Sequence, residues 1–559
     1  MRRSELVLAG TAATMVGAGY LLVAAAHGAL GAARNDDWVY YRSAFRFARE
    51  GSFTPYGSTT MLVGQDVLAA PVIMVFGPRI VPLQVFTAAM GVVALVLTYV
   101  LIRGALGVAW SAVAVATVAL GPVFGSLSAS FMTEVPAYLF VVLTLLAGWY
   151  AVRHRFSVPW LALALAAGFA AFTIREYSVA AVVAVVLVAA LRARSESVRA
   201  LGVVVVLALA WLGAVTAVYL WRRSVPGAGA VAIALVPRTP DIVKGFFTLA
   251  VFTFPTVLAV SPRRLWSVVR RRPLVPVLVV GVIALAWVEV LRLFQPAPFI
   301  GNYLTRYGSY SEVLPGSTPV VYPPVVWGAL AVLALASGIV MVLVAVLRLL
   351  SINGAEARRL VAPPPGGTTT PTLLLAVFVV GYLLVWVVSA LYLGAPVFDR
   401  NLTPVVPATV ALTVLAGRHL GVLRRRSVAP VAAGLVVLAV VGLVTVDASA
   451  TSDGARWRLA EKVELLGYPA GSIDGGYEWF GLHREGEATG TPLGGERRWW
   501  RELFPASPIC ATSVFAADQS QPGAGAALAS VSARSLFGIR YDFVATQGPD
   551  DCTVAAGGH

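Results

Sequence analysis

Long apolar runs alternate with short polar stretches along the first 446 residues of the chain. Most of these runs reach the roughly 17 to 25 residues that a helix needs to cross a bilayer, and charged residues, Pro or Gly bound each run. The pattern therefore predicts about thirteen transmembrane helices. The predicted segments are residues 5–28, 82–102, 107–128, 133–152, 158–174, 177–191, 200–221, 244–261, 274–291, 323–347, 372–393, 402–417 and 428–446.

Residues 447–559 have a different composition, which is rich in Gly, Ser, Arg and Glu. Short stretches such as Ser513–Ala516 and Tyr541–Val544 are typical of β-strands. The segment Ile473–Trp479 combines turn glycines with aromatic residues and carboxylates, which fits either a platform for a sugar or a tight turn packed on the membrane domain. We therefore predict an all-α polytopic membrane domain over residues 1–446 and a small extracytoplasmic α/β domain over residues 447–559.

The composition agrees with an integral membrane protein. Of the 559 residues, 58% are hydrophobic and only 12% are charged, and the mean hydropathy is +0.81. These values lie far from those of soluble globular chains.

Arginines cluster in alternate connections between the predicted helices, and few acidic residues share those connections. By the positive-inside rule, these connections face the cytoplasm, so we expect a multi-pass protein of the plasma membrane with a cytoplasmic amino terminus and an outer tail. Because this topology accounts for much of the net charge of +15, no nucleic-acid partner is predicted. The clusters comprise Arg2, Arg3, Arg153, Arg155, Arg192, Arg194, Arg199, Arg263, Arg264, Arg270, Arg271, Arg272, Arg348, Arg358, Arg359, Arg418, Arg424, Arg425 and Arg426.

Both cysteines of the chain, Cys510 and Cys552, lie in the predicted outer tail. An oxidising compartment would allow them to close a loop of about 42 residues, which would stabilise a small domain by roughly 3 to 4 kcal/mol. Two unpaired thiols are the alternative, and the sequence leaves both open.

Several common chemistries lack their signatures in this sequence. The five histidines are scattered, and neither an HExxH or CxxC motif nor a phosphate-binding glycine loop with lysine occurs. A nucleophile elbow with a triad histidine on the same side is also absent from the sequence. Zinc-dependent hydrolysis, ATP-driven transport and serine hydrolase chemistry are therefore not supported.

Two adjacent carboxylates, Asp36 and Asp37, follow the first predicted span directly. Ionisable groups close to the membrane are costly and usually mark a functional site, although one of the two could simply cap the next helix. That next stretch has aromatic residues at helical spacing beside a stripe of arginines that includes Arg42. We expect an amphipathic helix at the interface whose arginines contact the phosphate of bulk lipid or of a specific substrate.

A second outer element places Glu134 and Pro136 at the start of a span, where both residue types suit the first helical turn. Glu134 is therefore either a capping residue or a further acidic group of the outer surface. At the turn between two later spans, Arg175 precedes Glu176, and the two are expected to form a local ion pair.

Later outer loops add positive charge and aromatic residues to the same face. One loop contains Tyr303 and Arg306, and the other contains Asp399 and Arg400. The outer face thus gathers both signs of charge.

Taken together, these motifs resemble the GT-C superfamily of membrane glycosyltransferases: an acidic motif after the first span, the element Thr133–Pro136, and a late Asp399-Arg400 before a Leu-x-Pro sequence. The resemblance is to the protein O-mannosyltransferase and lipid A aminoarabinose transferase branch, whose late motif is commonly Arg-Tyr-Leu-x-Pro. Asn401 stands where that motif has tyrosine, whereas Arg400 and Pro404 match.

The resemblance implies inverting transfer of a hexose or pentose from a polyprenyl-phosphate donor to a glycan, lipid or protein acceptor on the outer face. Asp36 or Asp37 would act as general base on the acceptor hydroxyl, and Glu134 would orient the acceptor or help to hold an ion. No cofactor is required, but a divalent cation such as Mg²⁺ or Mn²⁺ is left open, because a few carboxylates can bind one without needing it. The expected substrate-binding residues are Arg42, Arg175, Tyr303, Arg306, Asp399 and Arg400.

Two other classes of protein remain as alternatives. A flippase or exporter of lipid-linked glycans would be expected to place its charges along a central path through several helices. A non-catalytic envelope assembly protein would use the outer domain to hold a partner.

Overall fold

The computed structural model describes residues 2–56, 60–226, 238–293, 298–309, 318–354, 356, 369–392, 397–424, 427–484, 500–501, 504, 508–515, 526–550 and 552. These residues form a mostly helical bundle with a small sheet in the carboxy-terminal part. The helices are α1 (Arg3–Ala26), α2 (Asp37–Glu50), α3 (Val63–Phe76), α4 (Ile80–Arg103), α5 (Val108–Ala119), α6 (Phe124–Ser128), α7 (Glu134–Val152), α8 (Val158–Ile174), α9 (Val179–Glu196), α10 (Val198–Ser224), α11 (Thr239–Val257), α12 (Pro262–Val269), α13 (Leu274–Leu293), α14 (Pro324–Leu350), α15 (Thr369–Tyr392), α16 (Val406–His419), α17 (Val428–Leu465) and α18 (Tyr477–His483).

Eight helices of the described chain are long and apolar enough to cross a membrane, namely α1, α4, α7, α9, α10, α14, α15 and α17. Helices α12 and α13 would form a ninth span if they count as one, but they meet at an angle of 116°. Each of the thirteen predicted segments contains a helix, but the predicted count of thirteen spans is not confirmed.

The differences arise where the sequence breaks a helix. The segment predicted as one span over 107–128 is divided into α5 and α6, because Gly121 and Pro122 interrupt the helical hydrogen bonds. Helix α3, which has 14 residues, was not among the predicted spans. Before α16, residues Asp399–Leu402 form a 3₁₀ turn instead of the predicted start of a span.

Helix α17 is the longest element, with 38 residues and therefore a length of about 57 Å. It continues without a break across residue 446, where the sequence analysis places the domain boundary. The division into two domains stays a prediction, because the same helix belongs to both parts.

The carboxy-terminal part contains a four-stranded sheet with the order β1-β2-β4-β3. Strand β1 pairs with β2 in parallel, and β4 pairs antiparallel with both β2 and β3. Both predicted strand stretches lie in this sheet, except that Ala516 is outside the described residues. A disulfide joins Cys510 to Cys552, with 5.6 Å between their Cα atoms. The strands are β1 (Ile473–Asp474), β2 (Ala511–Phe515), β3 (Ala527–Arg534) and β4 (Arg540–Gln547).

The predicted amphipathic helix is α2, but its aromatic face is turned into the protein. Trp38 is only 1% exposed and packs edge-on against Tyr477, with 5.5 Å between the ring centroids. A Cβ at Gly481 would lie 2.4 Å from the Trp38 ring, so α18 approaches α2 closely. Helix α18 thereby holds the amino-terminal end of α2, where Asp36 and Asp37 lie.

Candidate active site

Residues from four separate parts of the chain meet at one end of the bundle. They come from the start of α2, the start of α7, the link between α8 and α9, and the 3₁₀ turn before α16. The shared contacts are ion pairs between arginines and carboxylates that are far apart in sequence.

Arg400 lies at the centre of this cluster and is 4% exposed. Its Nη2 donates to Asp36 Oδ2 at 2.8 Å across 364 residues of sequence. Its Nε lies 3.2 Å from Glu134 Oε1, as an ion pair without hydrogen-bond geometry. The guanidinium also lies over the Phe398 ring, 4.6 Å from its centroid.

The third nitrogen of this guanidinium, Arg400 Nη1, is buried and has no hydrogen-bond partner among the described residues. Buried donors are nearly always satisfied, and charged ones are the most costly to leave unpaired. Arginine donors suit the oxygens of a phosphate or carboxylate. The geometry therefore leaves one strong donor for an anionic group.

Glu134 is fully buried at the start of α7 and is shared by two arginines. Arg175 Nη2 donates to Glu134 Oε1 at 2.5 Å, and Arg175 Nε donates to the Thr133 hydroxyl at the same distance. Arg175 also donates to the Tyr40 hydroxyl at 3.3 Å. The expected local ion pair with Glu176 is therefore replaced by a long-range pair with Glu134.

Asp36 and Asp37 are neighbours in sequence but have different environments. The Asp36 side chain is 28% exposed, pairs with Arg400 and accepts a hydrogen bond from the Tyr477 hydroxyl at 3.4 Å. Asp37 is only 1% exposed and accepts hydrogen bonds from the backbone N–H groups of Arg34 and Phe131. Burial raises the pKa of Asp37 well above its ordinary value. Of the two, Asp36 has the carboxylate that a substrate can reach.

Asp399 is a structural link within the site. It accepts hydrogen bonds from the backbone N–H groups of Tyr303 at 2.9 Å, Leu304 at 2.6 Å and Arg400 at 2.7 Å. Burial raises its pKa to about 6, and the three backbone donors oppose that increase. Asp399 thus holds the loop at residue 303 against the turn that carries Arg400.

Tyr303 is buried at the edge of the cluster, where its hydroxyl accepts a hydrogen bond from Asn35 Nδ2 at 3.3 Å. Arg42 and Arg306 have other contacts in the described structure. Arg42 donates to the Gly481 carbonyl at 2.9 Å, and its guanidinium lies 4.4 Å from the centroid of the Tyr56 ring. The Arg306 guanidinium lies 5.7 Å from the Tyr307 ring centroid.

A second buried ion network borders the site and was not predicted. Arg34 donates to Asp453 at 2.8 Å, and Arg456 donates to Asp453 at 3.2 Å and to Glu478 at 2.6 Å. Glu478 also accepts from the backbone N–H of Asn35 at 3.0 Å. This network joins the link before α2 to α17 and α18, so the segment Ile473–Trp479 packs on the membrane domain. In the sequence, the carboxylate of Glu478 in this segment was the available sign of the network.

The part of the chain that the structure describes contains no group of three or more His, Cys, Asp or Glu side chains that could hold a metal ion.

Comparison with known proteins gives one family match, over residues 65–221, to the family described as dolichyl-phosphate-mannose-protein mannosyltransferase. This range includes Glu134 and Arg175 but ends before Arg400. No curated protein matched the sequence.

Two solved structures have a similar arrangement at low sequence identity. The structure of ArnT from Cupriavidus metallidurans bound to undecaprenyl phosphate is 12% identical, covers 98% of both chains and gives a TM-score of 0.42. The second structure is that of the oligosaccharyltransferase AglB from Archaeoglobus fulgidus in complex with an inhibitory peptide and a dolichol-phosphate. It is 14% identical, the match covers 89% of this chain and 64% of that chain, and the TM-score is 0.35. The family match over residues 65–221 agrees with the resemblance found in the motifs, which is to the protein O-mannosyltransferase branch of the membrane glycosyltransferases.

Proposed function

We propose that the chain transfers a sugar from a polyprenyl-phosphate donor to a glycan, lipid or protein acceptor of the cell envelope. The observation that carries this proposal is the contact between the partly exposed Asp36 and the buried Arg400, whose Nη1 has no partner among the described residues. A base and a phosphate-binding donor are thus adjacent at one end of the bundle. The description of the matched family, which names a dolichyl-phosphate sugar, supports a lipid-phosphate donor.

In the proposed reaction, Asp36 accepts the proton of the acceptor hydroxyl as its oxygen attacks the anomeric carbon. The bond between the anomeric carbon and the phosphate oxygen breaks, and the lipid phosphate leaves with the electron pair. Attack from the face opposite the phosphate inverts the anomeric centre. Arg400 Nη1 donates to the phosphate, where negative charge increases.

The buried residues around this pair have positioning roles in the proposal. Glu134 binds both Arg175 and Arg400, so it orients the two guanidinium groups and does not itself contact the acceptor. Asp399 orients the turn of Arg400 through its three backbone hydrogen bonds. We assign Asp37 to the link between α2 and residue 131 and not to proton transfer.

We further propose that the site faces the outside of the plasma membrane and that the amino terminus is cytoplasmic. In this arrangement, residues 1–446 form a membrane domain and residues 447–559 form an outer domain. The arginine-rich connections support this orientation by the positive-inside rule. The disulfide supports it as well, because disulfides persist in oxidising compartments.

Matched substitutions of the two adjacent carboxylates test the proposal. A deletion strain is complemented with the wild type, Asp36→Asn or Asp37→Asn, and envelope glycans and polyprenyl-phosphate sugars are measured by mass spectrometry. We expect Asp36→Asn to fold but to lose about 10²- to 10⁴-fold in transfer rate, so that the lipid-linked sugar accumulates. Asp37→Asn should lower the melting temperature without a loss of this size in transfer rate.

Restored glycans in the Asp36→Asn strain would reject Asp36 as the base. Unchanged glycans and unchanged lipid-linked sugars in the deletion strain itself would reject the transferase assignment and favour an assembly role. Assays of wild-type membranes with and without EDTA, followed by Mg²⁺ or Mn²⁺, decide whether a divalent cation takes part.

A further inference from the structure

The hairpin between β3 and β4 has an apolar tip that is turned outward. Leu536 is 74% exposed and Phe537 is 49% exposed, and they lie side by side in the turn. Arg534 and Arg540 flank the tip and are both exposed. An apolar tip between two basic residues is the pattern of a segment that enters a lipid surface.

The tip lies at the level where α17 becomes apolar. The backbone N–H of Phe537 donates to Asp447 Oδ2 at 3.4 Å. Residues 537–540 also line a cleft of about 580 Å³ together with Val440, Val441 and Val444 of α17 and with residues 319–323 and 326 at the start of α14. Val440 is seven residues before Asp447, which corresponds to about 10 Å along the helix, and it is 48% exposed. The cleft therefore lies beside the part of α17 that the hydropathy places in the membrane.

The two arginines of the hairpin are directly opposite each other in the strand register. Like charges at such a cross-strand pair repel one another. Asp542 pairs with Arg540 at 2.8 Å, but the Arg540 side chain is 71% exposed and that of Asp542 is 35% exposed, so this ion pair is weak. The three charges leave the hairpin net positive.

A second cavity of about 440 Å³ lies between the arginines and is lined by Ser532, Ala533, Arg534, Gly538 and Arg540. It shares Gly538 and Arg540 with the apolar cleft. A cationic cavity thus opens directly onto an apolar one at membrane level.

We propose that this hairpin anchors the carboxy-terminal part to the membrane by binding one anionic phospholipid of the adjacent leaflet. Arg534 and Arg540 hold the lipid phosphate, and an acyl chain occupies the cleft between the hairpin, α14 and α17. Leu536 and Phe537 enter the boundary between headgroups and acyl chains. A soluble anion would leave the apolar cleft empty, whereas a phospholipid has phosphate and hydrocarbon at the required adjacent positions. This role does not depend on which sugar or acceptor the site uses.

Depth measurement tests the insertion of the tip. The variants Leu536→Cys and Ser530→Cys of the full-length protein are each labelled with an environment-sensitive fluorophore. The two native cysteines do not compete for the label because they are joined in a disulfide. The labelled proteins are reconstituted in nanodiscs that contain brominated phosphatidylcholine. The Ser530 carbonyl accepts from Lys462 at 3.2 Å, and Lys462 lies 15 residues, or about 22 Å, beyond Asp447 on α17. We expect strong quenching at position 536 and little at position 530. Equal quenching at both positions, or none at position 536, would overturn the proposal.

Lipid binding tests the basic cavity. Native mass spectrometry of the detergent-solubilised protein is used to titrate phosphatidylglycerol against the wild type and against the double variant Arg534→Gln/Arg540→Gln. Because the lipid phosphate loses two charged hydrogen-bond donors, we expect the affinity to fall by about tenfold or more. The control is Arg270→Gln/Arg271→Gln, which removes two exposed arginines beside α12, and it should bind as the wild type does.

Equal affinity in the two double variants would show that the hairpin arginines do not hold the lipid, and would overturn the proposal. Displacement of the lipid by inorganic phosphate at the concentration of the lipid would identify a site for soluble anions and would overturn it too.

Discussion

Glu134 illustrates how the site depends on single buried charges. Its carboxylate is fully buried and binds the guanidinium groups of Arg175 and Arg400. Together with Asp36, these side chains form a balanced group of two acids and two bases. A buried ion pair is stable only while each charge keeps its partner, because the interior solvates isolated charges poorly.

Neutralising Glu134 should therefore destabilise the protein strongly. We expect Glu134→Gln to lower the free energy of unfolding by about 3 to 5 kcal/mol, because two arginines would then share the single charge of Asp36. Unfolding of the purified protein in detergent measures this change. The control is Glu50→Gln, which removes the exposed pair with Arg46 and should cost at most about 1 kcal/mol. A loss for Glu134→Gln as small as that of the control would contradict the buried ion network.

Asp399 should give the stability a specific pH dependence. Its pKa is about 6 in the folded protein, because burial disfavours the charged form. In the unfolded chain its pKa is near the ordinary value of 3.8. Between these two pKa values, the folded state binds more protons than the unfolded state. The contribution of Asp399 to stability therefore falls as the pH rises from about 4 to about 6, and it is constant above about pH 6. We expect the melting temperature of the wild type, relative to Asp399→Asn, to decrease over this interval. A difference that stays constant from pH 4 to 7 would show that Asp399 does not titrate there.

At the scale of elements, α17 organises the molecule through close contacts with other helix ends. A Cβ at Gly454 would lie 2.0 Å from the His27 carbonyl oxygen, and one at Gly442 would lie 2.3 Å from the Leu120 carbonyl oxygen. Glycine at these positions lets the backbone of α17 contact the ends of α1 and α5. Beyond Asp447 the same helix carries the buried ion network with Arg34. Helix α17 thus fixes the carboxy-terminal part relative to the start of α2.

Adding a methyl group at this contact should separate the helices. We expect Gly454→Ala to lower the free energy of unfolding by about 1 to 3 kcal/mol, because the new Cβ meets backbone atoms that cannot move easily. Thermal unfolding measures the effect. Gly213→Ala is the matched control in α10, where no atom lies within 4 Å of the added Cβ, and it should be neutral or up to about 1 kcal/mol more stable. Equal melting temperatures of the two variants would contradict the close approach of α17 to α1.

At the scale of the whole molecule, Arg264 and Arg272 lie at the opposite end of the bundle from the ionic cluster. Arg264 donates to the Leu423 carbonyl at 2.6 Å and Arg272 donates to the Leu350 carbonyl at 3.0 Å, so the ends of α12, α14 and α16 meet at one end. Helix α17 starts near that end and leads to the carboxy-terminal sheet at the other. The proposed orientation would therefore place Arg264 and Arg272 in the cytoplasm and the cluster outside.

Labelling of intact cells with a membrane-impermeant maleimide tests this orientation. We expect Ser530→Cys, an exposed residue of β3, to react, and Ser267→Cys, an exposed residue of α12, to react only after the cells are opened. The two variants introduce the same residue at exposed positions, which makes them mutual controls. The reverse pattern would place Asp36 and Arg400 in the cytosol and would reject the proposed outer site.

The sequence by itself determined the class of protein, because apolar runs long enough to span a bilayer are a local property that folding does not change. It also identified Asp36, Glu134 and Arg400 as charges at the predicted outer ends of helices, since such charges are costly near the membrane. The predicted count of thirteen spans is not confirmed, because Gly121 and Pro122 divide one apolar run and the turn of Arg400 precedes α16.

Only the tertiary structure decided what each charge contacts. Asp36 and Asp37 are adjacent in sequence, yet one reaches solvent and the other binds the backbone of Phe131, because successive side chains at a helix start point in different directions. The partner of Arg400 lies 364 residues away, and no local pattern encodes that pairing. The same holds for the buried donor Nη1 of Arg400, since whether a donor is satisfied depends on packing around it in three dimensions.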